Sequence, residues 1–259
     1  MKDRKRVFIV LLLVFIVIIG LFTCSPEEFP HCPHRILAVV AHPDDETLIS
    51  GTLAKLADRG CDVTVIYITS GDDGPDMTGM GLHGAALALE REDEARKSLD
   101  QIGITNPPVF LKFPDSYVWE NSELIRDSLL IIISRINPHV VITFGPDGVT
   151  DDPDHITTGF VTDQVFDSIP TGKLLLHMAV SVKASRKYPI PAPVVDSLID
   201  LRVDVSGYKR ARLKSNKAHR TQFRPGQRLF WKMFVCRYPY EEFVIAGSRK
   251  GEGILQQCF

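Results

Sequence analysis

The sequence predicts an α/β protein with a Rossmann-like, mainly parallel sheet and helices on both faces. Three observations predict it. Short apolar runs, at residues 36–40, 63–68, 109–113 and 140–144, have strand length. Longer segments with apolar residues at helical spacing separate them, and this alternation implies right-handed crossovers between parallel strands. Two polar clusters, Ala41-His42-Pro43-Asp44-Asp45-Glu46 and Asp151-Asp152-Pro153-Asp154-His155, come just after the first and fourth runs. In an open α/β sheet, ligands bind outside the carboxyl ends of the strands.

The elements follow in order. Residues 36–40 form the first strand and deliver His42. Residues 48–59 read as a helix stopped by Gly60, and 63–68 alternate as a strand. A Gly- and Asp-rich loop covers 69–84. It contains Gly79-Met80-Gly81-Leu82-His83-Gly84, which fits a dinucleotide fingerprint. That motif needs to follow its strand directly, and here about ten residues intervene, so the loop reads as a mobile active-site rim. Residues 85–102 form an amphipathic helix closed by Gly103, with Arg91 and Glu94 on one face as a surface ion pair. A strand at 109–113 ends in Pro114-Asp115. A helix at 122–136, with Ser122 as cap, stops at Asn137-Pro138. The strand at 140–144 is followed by a helix at 156–168, a strand at 174–182 and a Pro-rich loop at 188–193. A helix covers 206–221, and the remainder, with Trp231, closes the domain edge. If the two halves wind outward in opposite directions, strands one and four become neighbours. The two polar clusters then meet at the switch point.

His42, Asp45 and His155 are ligand types at two strand ends. Two histidines and one carboxylate can hold a divalent metal with a position left open, which is a catalytic rather than structural zinc set. Asp44 points elsewhere than Asp45, so one carboxylate can bind metal while the other handles protons. Asp154 could orient a ligand or cap the following helix. Asp72, Asp73 and Asp115 are candidate pocket acids.

Ala-His-Pro-Asp-Asp-Glu, then Thr69-Ser70-Gly71-Asp72-Asp73-Gly74, then Arg91-x-x-Glu94 with a distal Ile102-Gly103, then Phe113-Pro114-Asp115, then a Gly-rich turn ending in Pro153-Asp154-His155, appear in this order. The set resembles the PIG-L/LmbE-type de-N-acetylases from about Arg35 to Gln222. The resemblance implies an LmbE-like fold and a zinc-dependent hydrolase, with another divalent metal as the alternative. It also implies removal of an acetyl group from an N-acetylated sugar, an N-acetylglucosamine conjugate. His42, Asp45 and His155 would hold the metal, and Asp44 would be the base. Arg91, Asp115 and His219 would contact substrate; by its residues alone, His219 could equally cap or line a helix. Where the family has His-Pro-Asp-His, this chain has Asp152-Pro153-Asp154-His155. Asp152 therefore stands in the place of a proton-handling histidine that Asp154 would orient. With a reference pKa near 3.9, an Asp is a poor donor at neutral pH. The second reading is a weakly active or non-catalytic metal-containing protein that binds glycans at a surface.

The chain has 259 residues, 44% hydrophobic and 24% charged, with formal net charge −2. This suits one α/β domain and offers no electrostatic case for nucleic acid. Lys2, Arg4, Lys5 and Arg6 precede an apolar run at 7–22, a signal-peptide or signal-anchor pattern. Residues 1–24 are expected to hold the membrane, 25–34 to be a tether, and 35–259 to be the domain, outside the cytoplasm. Cys24 after the run resembles a lipoprotein box, so lipid anchor and uncleaved signal anchor both stand. No Cys-x-x-Cys pair exists. Pairing among Cys32, Cys61, Cys236 and Cys258 is open, and Cys61 reads most simply as a small buried residue.

Overall fold

The structure is a computed structural model. It describes residues 32–169, 174–187, 192–249 and 252–259. The expected anchor and most of the tether lie outside the described residues. The described body begins at Cys32, three residues before the expected domain start.

The strands are β1 (Arg35–Val40), β2 (Asp62–Thr69), β3 (Val109–Phe113), β4 (Val140–Phe144), β5 (Leu174–Ala179), β6 (Leu201–Asp204) and β7 (Tyr240–Ser248). The helices are α1 (Ser50–Asp58), α2 (Gly84–Gln101), α3 (Ser122–Ile136), α4 (Pro153–Ser168), α5 (Val182–Ser185), α6 (Lys209–Ala218), α7 (Pro225–Arg237) and α8 (Glu252–Cys258). The sheet order is β3-β2-β1-β4-β5-β7-β6. β1 pairs in parallel with β2 on one side and with β4 on the other, Ile36 opposite Val140. The expected switch point between strands one and four is therefore present.

Alternation along β1 feeds two cores. Ile36, Ala38 and Val40 pack on one face with Leu53, Leu56 and Leu99. Leu37 and Val39 pack on the other with Ile125, Leu129 and Val161. Each large aliphatic side chain buried this way stabilises by roughly 1.5–3 kcal/mol. α4 lies close on β4 because residue 159 is glycine: a Cβ there would fall 2.5 Å from the Phe144 carbonyl oxygen. Gly159→Ala would push the helix off the strand that carries the site.

Several expectations shift. The helix expected at 48–59 is a 3-10 turn at Asp45–Ile49 running into α1. α4 starts at Pro153 rather than Ile156, and Asp152, not Asp154, is its cap. Asn121 takes the N-cap position of α3, and Ser122 is its first helical residue. β5 ends at Ala179 because Ser181 caps α5. The helix expected at 206–221 is a 3-10 turn followed by α6, which stops at Ala218. The edge around it contains β6 before it and α7, β7 and α8 after it, with β6 and β7 antiparallel, none of which the sequence pattern separated. Cys61 is not a lone buried thiol: it is joined to Cys32 in a disulfide. Arg91 and Glu94 are both buried and take separate partners, so they are not a surface pair.

Candidate active site

The site is built where β1 and β4 end side by side. After β1 the chain turns sharply. Asp44 has φ 115°, a left-handed backbone that Asp tolerates better than most side chains. Its N–H donates to Glu46 Oε2 at 3.0 Å, and Thr47 N–H closes the 3-10 turn on the Asp44 carbonyl. The turn splits the paired acids. Asp44 projects into the cleft. Asp45 folds back, and its Oδ2 accepts the His42 N–H at 2.7 Å.

After β4 the turn 145–148 places Gly148 against His155. The Gly148 carbonyl lies 3.0 Å from His155 Nδ1, and Thr150 Oγ1 lies 2.8 Å from it. An Nδ1–H donated to that carbonyl leaves the Nε2 lone pair facing the cleft. Phe144 stacks on the imidazole at 4.1 Å between centroids, fixing its plane. His155 Nε2 is 3.0 Å from Asp45 Oδ1 and 3.2 Å from His42 Nδ1. His42 Nδ1 is 3.6 Å from Asp45 Oδ2. Three ligand atoms thus converge, all within 4.8 Å of one another. Two imidazole lone pairs 3.2 Å apart repel unless a proton or cation lies between them. The donor set fits a divalent ion, with two imidazoles, a carboxylate and an open side toward the cleft.

The other nitrogen of His42 is held from behind. Its Nε2 lies 3.0 Å from Asp115 Oδ1 and 3.3 Å from Asp154 Oδ2. A carboxylate behind a ligand imidazole fixes its tautomer and raises its basicity. Asp115, expected on substrate, therefore abuts His42 while still lining the cleft. Asp154, read from sequence as an orienter of a ligand or of position 152, accepts the Ser116 and Val118 N–H groups and faces the ligand type His42, not position 152. Asp152 lines the cleft, but its Oδ1 accepts the Asp154 N–H at 2.9 Å as the cap of α4. That bond engages Oδ1 alone, as an acceptor.

Charge follows geometry. Burial opposes protonation of His42, but the carboxylates of Asp115, Asp154 and Asp45 outweigh it and hold its pKa well above the usual histidine value. Burial, then the neighbouring charge of Asp45, pushes Asp44 up to about 7. Burial would raise Asp45 too, yet His155 and His42 hold it far below the carboxylate range.

The cleft is about 420 Å³. Its rim is residues 73–75, not the glycine-rich 79–84 piece, which Asp76 ties down through Thr78 and Leu82. Arg91 holds this rim. Its Nη1 donates to the Gly71 carbonyl at 2.7 Å and its Nη2 to that of Pro75 at 3.1 Å. A Cβ at Gly71 or Gly74 would collide with the guanidinium, which accounts for both glycines of Thr-Ser-Gly-Asp-Asp-Gly. Asp73 lines the cleft, while Asp72 borders the next hollow and accepts the Asp115 N–H.

His219 lies behind the wall rather than on it. It is fully enclosed, with Nε2 2.6 Å from Glu46 Oε1 and Nδ1 2.9 Å from Gln222 Nε2. Gln222, Phe223 and Trp231 do line the cleft. Sequence pattern missed these three as site residues, because they come from the turn between α6 and α7 and from α7 itself, far from both polar clusters. Glu46, the last residue of the first motif, was also passed over.

The family described as "PIG-L: GlcNAc-PI de-N-acetylase" matches residues 37–166. The chain is similar to the 1D-myo-inositol 2-acetamido-2-deoxy-alpha-D-glucopyranoside deacetylase of Actinosynnema mirum, 29% identical over 230 residues, covering 73% of this chain and 81% of that protein. The protein of the same description from Mycobacterium sp. strain JLS is 30% identical over 233 residues, covering 73% and 74%. Among solved structures, the chain resembles N,N'-diacetylchitobiose deacetylase from Pyrococcus horikoshii at TM-score 0.67 and 22% identity, covering 86% of this chain and 87% of that one. That likeness is one of fold. The family match covers the first four strands of the sheet and both polar clusters, and the chain belongs to the PIG-L de-N-acetylase family.

Proposed function

We propose that this chain is a zinc-dependent de-N-acetylase that hydrolyses the acetamide of an N-acetylglucosamine conjugate. The observation that carries the reading is the convergence of His42 Nδ1, an Asp45 oxygen and His155 Nε2 beside Asp44 in one cleft. Relatives named as deacetylases of an acetamido sugar support the substrate class.

His42, Asp45 and His155 would hold the ion. A divalent ion bound there supplies Lewis-acid polarisation of the acetamide carbonyl and acidifies a water. Asp44 takes that water's proton and is placed to return it to the departing amine. Asp115 and Asp154 keep His42 turned so that Nδ1 faces the ion. Arg91, itself part of the cleft lining, fixes the 71–75 rim, and Phe223 and Trp231 offer apolar wall to the sugar. Asp152, engaged as a helix cap, has no proton-donor role in this account.

Acetate release from N-acetylglucosamine conjugates by zinc-loaded full chain, abolished by chelation and restored by metal, is the expected result. Saturable sugar binding without acetate release would contradict the reading. The same proposal keeps the domain outside the cytoplasm, held by residues 1–24, on the strength of the basic flank and the apolar run. Protease added to intact cells should reach the domain; protection until lysis opposes this placement.

A further inference from the structure

The charge of this chain is segregated. Residues 209–237 contain ten Lys and Arg and no Asp or Glu, which leaves 20 basic against 32 acidic residues elsewhere. This stretch is α6, the turn after it and α7. The two helices pack together through Arg212, whose guanidinium lies over the Trp231 and Phe234 rings. Their buried sides use Arg212, Ser215 and Asn216 on α6, and Trp231, Phe234 and Val235 on α7. What remains outward is cationic. Lys209, Arg210, Lys214, Lys217, Lys232 and Arg237 are exposed and make no salt bridge within 4 Å among the described residues, Lys209 having Asp204 as a more distant acidic neighbour. Leu229 and Phe230 also project from α7, 58% and 56% exposed.

Cations beside a protruding Leu-Phe pair suit one kind of partner. An anionic bilayer rewards the charges at its surface and the apolar pair within its headgroup boundary. A soluble polyanion rewards only the charges. The foot of this flank is also where the described body begins. Cys32 N–H bonds to the Arg59 carbonyl, and the adjacent Asp58 accepts from Tyr208, the residue before α6. The 31 residues that precede this point in the chain carry the apolar run 7–22. We infer that the outward face of α6 and α7 docks on an anionic lipid surface, as a membrane contact separate from the N-terminal run. The cleft, lined by Gln222, Phe223 and Trp231 of the same segment, then opens beside that surface.

Cys236 is exposed and free on α7, so it provides a reporter on this face. The full chain with Cys24→Ser, in the sample and in the control, is labelled at Cys236 with a polarity-sensitive dye and mixed with phosphatidylglycerol or phosphatidylcholine vesicles. A control carries Cys236→Ser and the label at Asp127→Cys on α3. Samples are compared at equal vesicle-bound protein, measured by sedimentation, so only the local signal reports on the face. The dye at 236 should shift to the blue on phosphatidylglycerol alone, and lose the shift at high salt. A single surface cation contributes about 1 kcal/mol, or about fivefold. Lys214→Gln, Lys217→Gln and Lys232→Gln together should therefore raise the anionic lipid needed for half the shift by about a hundredfold. Leu229→Ser with Phe230→Ser should remove the blue shift while leaving salt-sensitive attraction. A silent dye at 236 on captured vesicles, an equal shift at 127, or an equal shift on phosphatidylcholine would overturn the inference. An equal shift with a soluble anionic polysaccharide would reassign the face to polyanions.

Discussion

Two His–carboxylate pairs lie at the end of β1, from neighbouring carboxylates, and they have opposite fates. Asp45 meets His155 at 3.0 Å on the cleft wall. Glu46 meets His219 at 2.6 Å, with both side chains at 0% exposure. In the sealed pair each polar atom is used: Glu46 also accepts from Ser98 Oγ and from the Asp44 N–H, and His219 Nδ1 meets Gln222. In the cleft pair, His155 Nε2, an Asp45 oxygen and His42 Nδ1 converge on one place, where a shared proton or a cation can hold them together. The same residue types therefore make a ligand set when lone pairs converge, and a strut when each finds a donor. The strut supports the ligand set, because Glu46 holds the left-handed backbone of Asp44.

Breaking each pair should give different losses. His155→Ala has the largest effect on activity: bound metal falls to background by elemental analysis and acetate release goes with it, while denaturant unfolding stays cooperative. His219→Ala leaves Glu46 buried without its partner. It should cost about 3–5 kcal/mol of stability in denaturant titration, and the folded fraction should still bind metal. If His219→Ala instead loses metal at unchanged stability, the strut is misassigned.

The sealed pair also has a pH signature. Burial opposes charge on His219, but Glu46, then Asp44 and Glu94, raise its pKa above the usual value. A raised histidine contributes stability that is full below the unfolded pKa, about 6.5, and is lost as pH rises through the folded value. The metal-loaded protein should therefore lose stability above about pH 6.5, and His219→Gln should flatten that slope. An unchanged slope would remove His219 as its source.

Smaller effects probe the supports of the cleft pair. Asp115→Asn should weaken metal binding by about 10- to 100-fold, read by competition with a chelator. Asp152→Asn should leave turnover and stability nearly unchanged, since Asn caps as well as Asp. Asp152→Ala should cost about 1 kcal/mol of stability. A large loss of turnover in Asp152→Asn would restore position 152 to the chemistry.

The legible part of the site was local. His42, Asp44 and Asp45 share one motif, His155 ends another, and the β-α alternation predicted that β1 and β4 would bring them together. The cap at Asp152 was less legible, because a carboxylate three residues before His155 looks the same whether it caps or reacts. The place of His219 depended on the packing of α6 on α1 and α2, which no local period encodes. Arg91 resembled a surface residue until the glycines at 71 and 74 were seen to enclose it. The antiparallel edge of β6 and β7 was hidden for a similar reason. Its Glu241 and Glu242 are buried against Arg212, the Gly51 and Thr52 N–H groups, Ser181 and Arg202, so a core strand carries two acids.

The central claim is the division of labour between adjacent carboxylates, and one paired measurement tests it most directly. Bound zinc and acetate release are measured side by side in Asp44→Asn and Asp45→Ala. Asp44→Asn should keep its metal and lose turnover by about a hundred- to ten-thousandfold, and Asp45→Ala should lose both. Metal lost from Asp44→Asn but retained in Asp45→Ala would contradict the account.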